Sequence, residues 1–241
     1  MVLAAGFGSR LRPLTDHTPK PLLKVGDHRL IAYPLALLRA AGIDEVIINL
    51  HHRGDQLRAA VGDGAAYGLS IRYSEEAPIL DTGGAIKKAQ PFLQRDRFVV
   101  LNSDAVCDVD LRAVIDWHSA RGALATMVLR ADPDAARYGL IEIDATARIR
   151  RFLGVPATVE QPLTPLMFTG VHVFEPEVFA YMDEGRFGIN RTTYPRLLTA
   201  GCPLYGYMFD GYWRVLDTHA GLAEGRFELA DGRCLGARNR P

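Results

Sequence analysis

The chain has 241 residues, 48% of them apolar and 23% charged, with 28 Lys and Arg set against 28 Asp and Glu. This is the composition of a globular protein with a sizeable core, and its charge balance gives no electrostatic reason to propose broad binding of nucleic acid or anionic membranes. An anionic ligand must be met by a local cluster of charge. Three widely spaced cysteines, Cys107, Cys202 and Cys234, form no CxxC pair and read as reduced structural thiols. The longest apolar stretch, Leu30 to Leu38, is too short for a bilayer and runs into Arg39. Met1 already sits in an apolar strand, so no leader and a cytoplasmic location are expected.

In chain order, Met1–Ala4 reads as a strand, Leu30–Ala41 as a helix stopped by Gly42, and Glu45–Leu50 as a nearly all-apolar strand. Gln56–Val61 reads as a short helix, Ser70–Tyr73 as a strand, Thr82–Gln90 as a helix, Phe98–Leu101 as a buried strand, Leu111–Ala120 as a helix and Ala123–Leu129 as a strand. Alternating helices and two-sidedly apolar strands predict an α/β fold with a mostly parallel, Rossmann-like sheet flanked by helices. Beyond Arg130 the rhythm changes. Gly139–Asp144 and Arg148–Phe152 alternate apolar and polar residues, which predicts an antiparallel hairpin. Pro156, Pro162 and Pro165 mark an irregular connection to a strand over Phe168–Phe174. A helix over Thr192–Ala200, strands over Leu204–Phe209 and Tyr212–Leu216, a helix over His219–Ala230 and a polar tail from Arg233 complete the chain. No repeat or long linker interrupts it. A single domain over 1–241 is expected, with a first half over 1–130 and a second over 131–232.

The strand at the start feeds the turn Leu3-Ala4-Ala5-Gly6-Phe7-Gly8-Ser9-Arg10. Glycines at 6 and 8 free the backbone to bring N–H groups close to phosphate oxygens, and Arg10 adds a permanently charged fork. Leu11 stands where a dinucleotide fingerprint has its third glycine, and no Gly-Lys-Ser/Thr closes a Walker loop. A strand followed by GxG is alone equally compatible with a tight structural bend. Pro19-Lys20-Pro21 shifts the balance, because the two prolines stiffen the backbone around a cation near Arg10. Two fixed cations beside such a turn suit charge stabilisation in phosphoryl chemistry.

The two-part motif Leu3 to Leu11 with Pro19-Lys20-Pro21-Leu22 resembles the signature of the sugar-1-phosphate nucleotidyltransferases, with weaker matches along nearly the whole chain. The resemblance implies attack of a sugar 1-phosphate oxygen on the α-phosphorus of an NTP, releasing pyrophosphate and needing Mg2+. It implies that Leu3, Ala4, Ala5, Gly6 and Gly8 hold the nucleotide. Arg10 would face the β/γ leaving group and Lys20 the α-phosphate. Leu80-Asp81-Thr82-Gly83-Gly84-Ala85 is similar to the family loop that contacts base and ribose, here through Thr82 and Gly83, with Thr82 also a candidate helix cap. Asp104 ends a strand where the family places a magnesium-binding aspartate, and strand ends are where such sheets bind ligands. Asn49, at another strand end, is a candidate for base contact, and Tyr138-Gly139 resembles a sugar-contacting pair.

Two departures stand out. The family's Glu-Lys-Pro is replaced by Phe152-Leu153-Gly154-Val155-Pro156, leaving Arg151 or Arg191 to bind the sugar phosphate. The family's Trp-x-Asp-x-Gly-Thr is replaced by Trp213-Arg214-Val215-Leu216-Asp217-Thr218, putting Val215 at the second metal-binding aspartate. Asp217 then has three readings: a shifted metal ligand, a helix N-cap, or a bystander to a metal held by Asp104, phosphate and water. His51, His52, His118 and His172 read as solvated or structural. Tyr207, Tyr212 and Trp213 are candidates for a sugar pocket and equally for the core.

Segment Ile79–Ile86 is most similar to bacterial N-acetylmuramate 1-phosphate uridylyltransferases, and mannose-1-phosphate guanylyltransferases and glucose-1-phosphate thymidylyltransferases share most of these residues. The partners implied are an NTP and a sugar 1-phosphate, with no nucleic acid and no membrane, acting on a monomer or small homo-oligomer. A non-catalytic nucleotide-sugar binding module is the competing class, and molybdopterin nucleotide transfer a remote third.

Overall fold

The computed structural model describes residues 1–133, 135–156, 158–230, 235–236 and 239–241. Cys234 and Arg233, where the polar tail is expected to begin, lie outside the described residues. In chain order the strands are β1 (Val2–Leu3), β2 (Lys24–Val25), β3 (His28–Arg29), β4 (Glu45–Leu50), β5 (Ser70–Glu75), β6 (Phe98–Asn102) and β7 (Ala105–Cys107). They continue with β8 (Ala125–Arg130), β9 (Ile141–Ile143), β10 (Ile149–Phe152), β11 (Thr164–Phe174), β12 (Leu204–Met208) and β13 (Trp213–Val215). The principal helices are Ala32–Ala40, Gly54–Val61, Asp81–Lys88, Leu111–Ala120, Thr193–Thr199 and His219–Leu229. The fold is the expected mixed α/β type, and no helix among the described residues is long and apolar enough to cross a membrane. By its contacts the chain forms two compact units, one of residues 1–79, 101–112 and 211–241, the other of 80–100 and 113–210.

In the first unit β4 lies between β1 and β5, and the end of β6 lies on the other side of β1, all parallel. A strand with parallel neighbours on both edges is covered on both faces. That is why Val46 to Leu50 are all buried and only Glu45 is exposed. The short β7 pairs antiparallel with β13, matching Trp213 to Cys107 and Val215 to Ala105. Sequence patterning foresaw β13 but not β7, whose three residues are too few to show a period. Beside this ladder Leu11, Leu23, Val25, Leu30, Tyr33, Val106, Leu216, Leu222 and Leu229 form one apolar cluster. It joins the segment after the glycine turn to β7, to the end of β13 and to the helix His219–Leu229.

In the second unit β11 pairs antiparallel with β8 and β9, β9 with β10, and β12 runs parallel to β8. The hairpin expected over 139–152 is present as β9–β10. Asp144 closes its turn by accepting hydrogen bonds from Thr146 N, Thr146 Oγ1 and Arg148 N. Burial opposes ionisation of Asp144, but these donors and Arg150 hold its pKa well below the ordinary carboxyl range. β11 begins at Thr164, earlier than expected, because Pro165 sits in register with Glu142 on β9 rather than breaking the strand. His172 is buried with its Nδ1 bonded to the Tyr194 hydroxyl, in a stack with Phe174, Tyr194 and Phe152. His118 is likewise buried, bonded to Thr126 Oγ1 at 2.7 Å.

Candidate functional site

Leu3 ends β1 and the buried Ala4 and Ala5 carry the chain to the exposed Gly6 and Phe7. A Cβ added at Gly6 would meet nothing within 4 Å, so the space over this residue is open. Gly8 is different. It adopts φ +62°, and a Cβ there would fall 2.9 Å from Thr15 Cγ2 and 3.2 Å from Lys20 Cβ. Glycine at 8 therefore permits both the left-handed turn and the close seating of Lys20. The buried Thr15 donates its hydroxyl to Gly8 O at 2.9 Å, an anchor that no sequence signal marked. Past Gly8, Ser9–Leu11 makes one tight helical turn that buries Leu11 in the apolar cluster and leaves Arg10 outward.

Lys20 begins a tight helical turn, Lys20–Leu22, after the extended Pro19. Its stem is largely buried, and its Nζ lies 3.0 Å from Asp104 Oδ2, in the bend between β6 and β7. Arg10 Nη1 lies 2.8 Å from Asp217 Oδ2. Leu216 N donates to Asp104 O at 2.8 Å, extending the β7–β13 ladder, so Asp217 directly follows the residue bonded to Asp104. The glycine turn, both cations and both carboxylates thus belong to one unit. The N-cap reading of Asp217 is overturned: Thr218 is the cap, and its side chain accepts from Gly221 N at 3.1 Å.

Among the described residues no group of three or more His, Cys, Asp or Glu could hold a metal ion. Magnesium needs no such cage, since it is commonly held by one or two carboxylates with water and phosphate oxygens completing its shell. Asp104 and Asp217 supply hard oxygen donors of that kind at the end of one ladder.

Asn49, expected at a nucleobase, is buried, and both ends of its amide are engaged. Its Oδ1 accepts from Ala4 N at 2.7 Å and its Nδ2 donates to Glu76 Oε1 at 2.6 Å. It therefore ties the start of the turn to Glu76. His51 and His52 are half-buried and flank the Phe7 ring at 5.3 and 5.5 Å.

In the second unit the helix Asp81–Lys88 starts one residue before the expected Thr82, with Asp81 in the left-handed region at φ +62°. Thr82 is not its cap. Its Oγ1 accepts from Ile189 N at 3.0 Å, while Gly83 N and Gly84 N both donate to Phe187 O, at 2.9 and 3.1 Å. Two free N–H groups of this helix start are thus met by Phe187 O, while Thr82 N donates to Asp81 Oδ1 at 2.6 Å. The glycines are required sterically, because a Cβ at Gly83 would lie 2.1 Å from the Phe187 ring and one at Gly84 2.1 Å from Gly185 O.

Tyr138 is exposed at the end of the short helix Ala135–Tyr138, and Gly139 follows at φ +87°. A Cβ at Gly139 would fall 2.3 Å from Leu153 Cδ2. Leu153 and Gly154, both at positive φ, form a two-residue turn closed by hydrogen bonds between Phe152 and Val155. Where the family motif carries a charged pair, this chain has a tight bend with an apolar side chain folded over Gly139. Arg151 is bound to both Glu142 oxygens at 3.1 and 3.0 Å and to Pro156 O at 3.1 Å, so a sugar phosphate would compete with Glu142 for it. The Arg191 side chain is exposed and has no partner among the described residues. Tyr207 stands edge-on to Trp117, and Tyr212 packs on the apolar cluster of the first unit with its hydroxyl on Glu228; both serve packing.

The family model described as nucleotidyl transferase matches residues 1–231. A UTP–glucose-1-phosphate uridylyltransferase of Synechocystis sp. is 34% identical over 88% of this chain and 58% of its own length. A mannose-1-phosphate guanylyltransferase of Mycobacterium tuberculosis is 34% identical over 96% of this chain and 64% of its own. The chain therefore spans about three fifths of these relatives. Among solved structures, one provisionally named as a glucose-1-phosphate thymidylyltransferase of Bacillus anthracis superposes with a TM-score of 0.82 at 25% identity, covering 99% of this chain and 97% of that one. The HddC protein of Yersinia pseudotuberculosis shares the fold, with a TM-score of 0.77 at 18% identity over 94% of this chain and 97% of its own. On the family match along almost its full length, this chain belongs to the nucleotidyl transferase family.

Proposed function

We propose that this chain transfers a nucleotidyl group from an NTP to a sugar 1-phosphate, giving an NDP-sugar and pyrophosphate. One observation carries the reading: Lys20 and Arg10, each ion-paired to a carboxylate, flank an open glycine turn. Gly6 and Gly8 present backbone to the triphosphate, with Leu3, Ala4 and Ala5 leading into it. A sugar phosphate oxygen forms the new bond to the α-phosphorus, and the bond to the bridging oxygen breaks with its electron pair leaving on pyrophosphate. Lys20 neutralises charge at the α-phosphate and Arg10 charge on the leaving group. The nucleophile is already an anion, so positioning and electrostatics carry the rate without a general base. Asp104 and, in the two-carboxylate arrangement, Asp217 would hold Mg2+, which would supply charge neutralisation at the phosphates. Tyr138 and Gly139 are assigned to the sugar, Arg191, which has no side-chain partner among the described residues, to its phosphate, and Thr82 and Gly83 to the nucleotide.

The sugar is read as a hexose 1-phosphate. The names of the relatives favour glucose or mannose 1-phosphate with UTP, GTP or dTTP. Segment Ile79–Ile86 favours UTP with N-acetylmuramate 1-phosphate. Pyrophosphate release over a matrix of these nucleotides and sugars with Mg2+ decides among them. Turnover with one pair is expected. Tight nucleotide binding without turnover for any pair would favour the non-catalytic module, a reading supported by the apolar Leu153 where the family has charge.

A further inference from the structure

Glu76 directly follows β5, belongs to no motif, and is buried with 4% of its surface exposed. Three of its atoms tie neighbouring segments together. Oε1 accepts from Asn49 Nδ2 at 2.6 Å, and Asn49 in turn accepts from Ala4 N at 2.7 Å. The Glu76 amide donates to Leu50 O at 2.8 Å. Its carbonyl lies 2.8 Å from His51 Nδ1, and since a carbonyl oxygen only accepts, that ring nitrogen must carry a proton. The His51 ring then stands edge-on to Phe7. The two residues that bracket Ala5 and Gly6, namely Ala4 and Phe7, are thus both referred to one buried residue.

We propose that Glu76 is a positioning residue that sets the glycine turn for the triphosphate, acting through Asn49 on Ala4 and through His51 on Phe7. This rests on the triphosphate reading above. Glu76 is separated from the turn backbone by Asn49, so its effect is on geometry. Backbone N–H groups bind phosphate only when aimed, and a displacement of about 1 Å in a reacting assembly can cost roughly a hundredfold in rate. The Asn49 amide has one orientation that satisfies both neighbours: its oxygen must face the Ala4 N–H and its nitrogen the Glu76 carboxylate. The pair therefore locks the amide, and the amide locks the end of β1.

The test exploits that polarity in the full-length chain. Asn49→Asp keeps the acceptor for Ala4 N but sets two carboxyl groups against each other, so that one must take up a proton or move away. The double variant Asn49→Asp, Glu76→Gln restores a hydrogen bond of reversed direction with almost no change of shape. With UTP and GTP as probes and Mg2+ present, Asn49→Asp is expected to raise the nucleotide Kd and KM about tenfold, the equivalent of one lost hydrogen bond. The KM for the sugar phosphate should not move, and the double variant should return to within about threefold of wild type. The proposal is overturned if Asn49→Asp binds the nucleotide like wild type, or if the double variant folds yet binds no better than the single. If Asn49→Asp does not fold, the double variant alone decides, with near-native affinity supporting the relay and weak binding refuting it. Absence of nucleotide binding by the wild type would instead remove the triphosphate reading, and the relay's purpose with it.

Discussion

Lys20 is the residue whose environment is most specific to charge chemistry. Its side chain is 12% exposed, and its ammonium is held against Asp104. Lys20→Ala is expected to lower kcat by roughly 10²–10³, the loss typical of one transition-state donor, with a smaller change in nucleotide Kd; steady-state kinetics paired with binding titration separate the two. Arg10 and Asp217 form the second pair, though Arg10 is 70% exposed, so the pair adds little to folding stability. Its worth lies in aiming the guanidinium. A double-mutant cycle with Arg10→Ala and Asp217→Asn on kcat/KM should show coupling of about 1 kcal/mol or more. Additive effects would mean that Asp217 works apart from Arg10, as a metal ligand does. Lys20 and Asp104 were legible in the sequence because prolines mark the one and a strand end marks the other. The Arg10–Asp217 contact was not, because it joins opposite ends of the chain through a ladder whose β7 member is only three residues long. Asn49 was legible as a polar residue at a strand end, but nothing in its identity told that its amide faces inward.

At the scale of elements, the helix Asp81–Lys88 depends on a segment far along the chain. The Phe187 carbonyl takes the N–H groups of Gly83 and Gly84, and the Phe187 ring occupies the space of a Gly83 side chain. Gly83→Ala would normally favour a helix by about 1 kcal/mol. Here it should destabilise the protein by about 1–3 kcal/mol, the cost typical of overpacking, as read by urea denaturation. Adding Phe187→Leu should recover part of that loss. A stabilised Gly83→Ala protein would show that the 185–189 segment does not sit on this helix. The glycines themselves were legible, as were the helix and its strand neighbours. Capping is local in most helices, which makes Thr82 a candidate cap on sequence alone, whereas here Asp81 takes one N–H and the distant Phe187 carbonyl two others. The same reason hid the extension of β11, since Pro165 looks like a breaker until its place opposite Glu142 is seen.

For the molecule as a whole, the buried histidines set the acid limit of stability. His172 is lowered to about 3 by burial, and His118 to about 4 by burial and the nearby Arg97 charge, against the opposing pull of Glu175. Both are neutral in the fold and titrate near 6.5 when unfolded. The unfolded chain therefore binds protons first, and stability present above pH 6.5 is lost as pH falls towards 4. Urea midpoints should drop across that window, and His118→Gln should give a shallower drop. An identical slope in the variant would remove His118 from the account, since Asp144, held well below the ordinary carboxyl range, loses its contribution only below about pH 4. The order of strands and helices could be read along the chain, but its division into units could not, because each unit is assembled from separated stretches. That interleaving bears on how the protein is made. Leu216, Asp217 and the helix His219–Leu229 belong to the unit that Met1 begins. On the ribosome, β1 must wait for residues 211–229 before the core of its unit can close. A nascent chain arrested before residue 211 would expose β7 and the leucines of the apolar cluster, a target for chaperones and proteases, and would lack the carboxylate that holds Arg10.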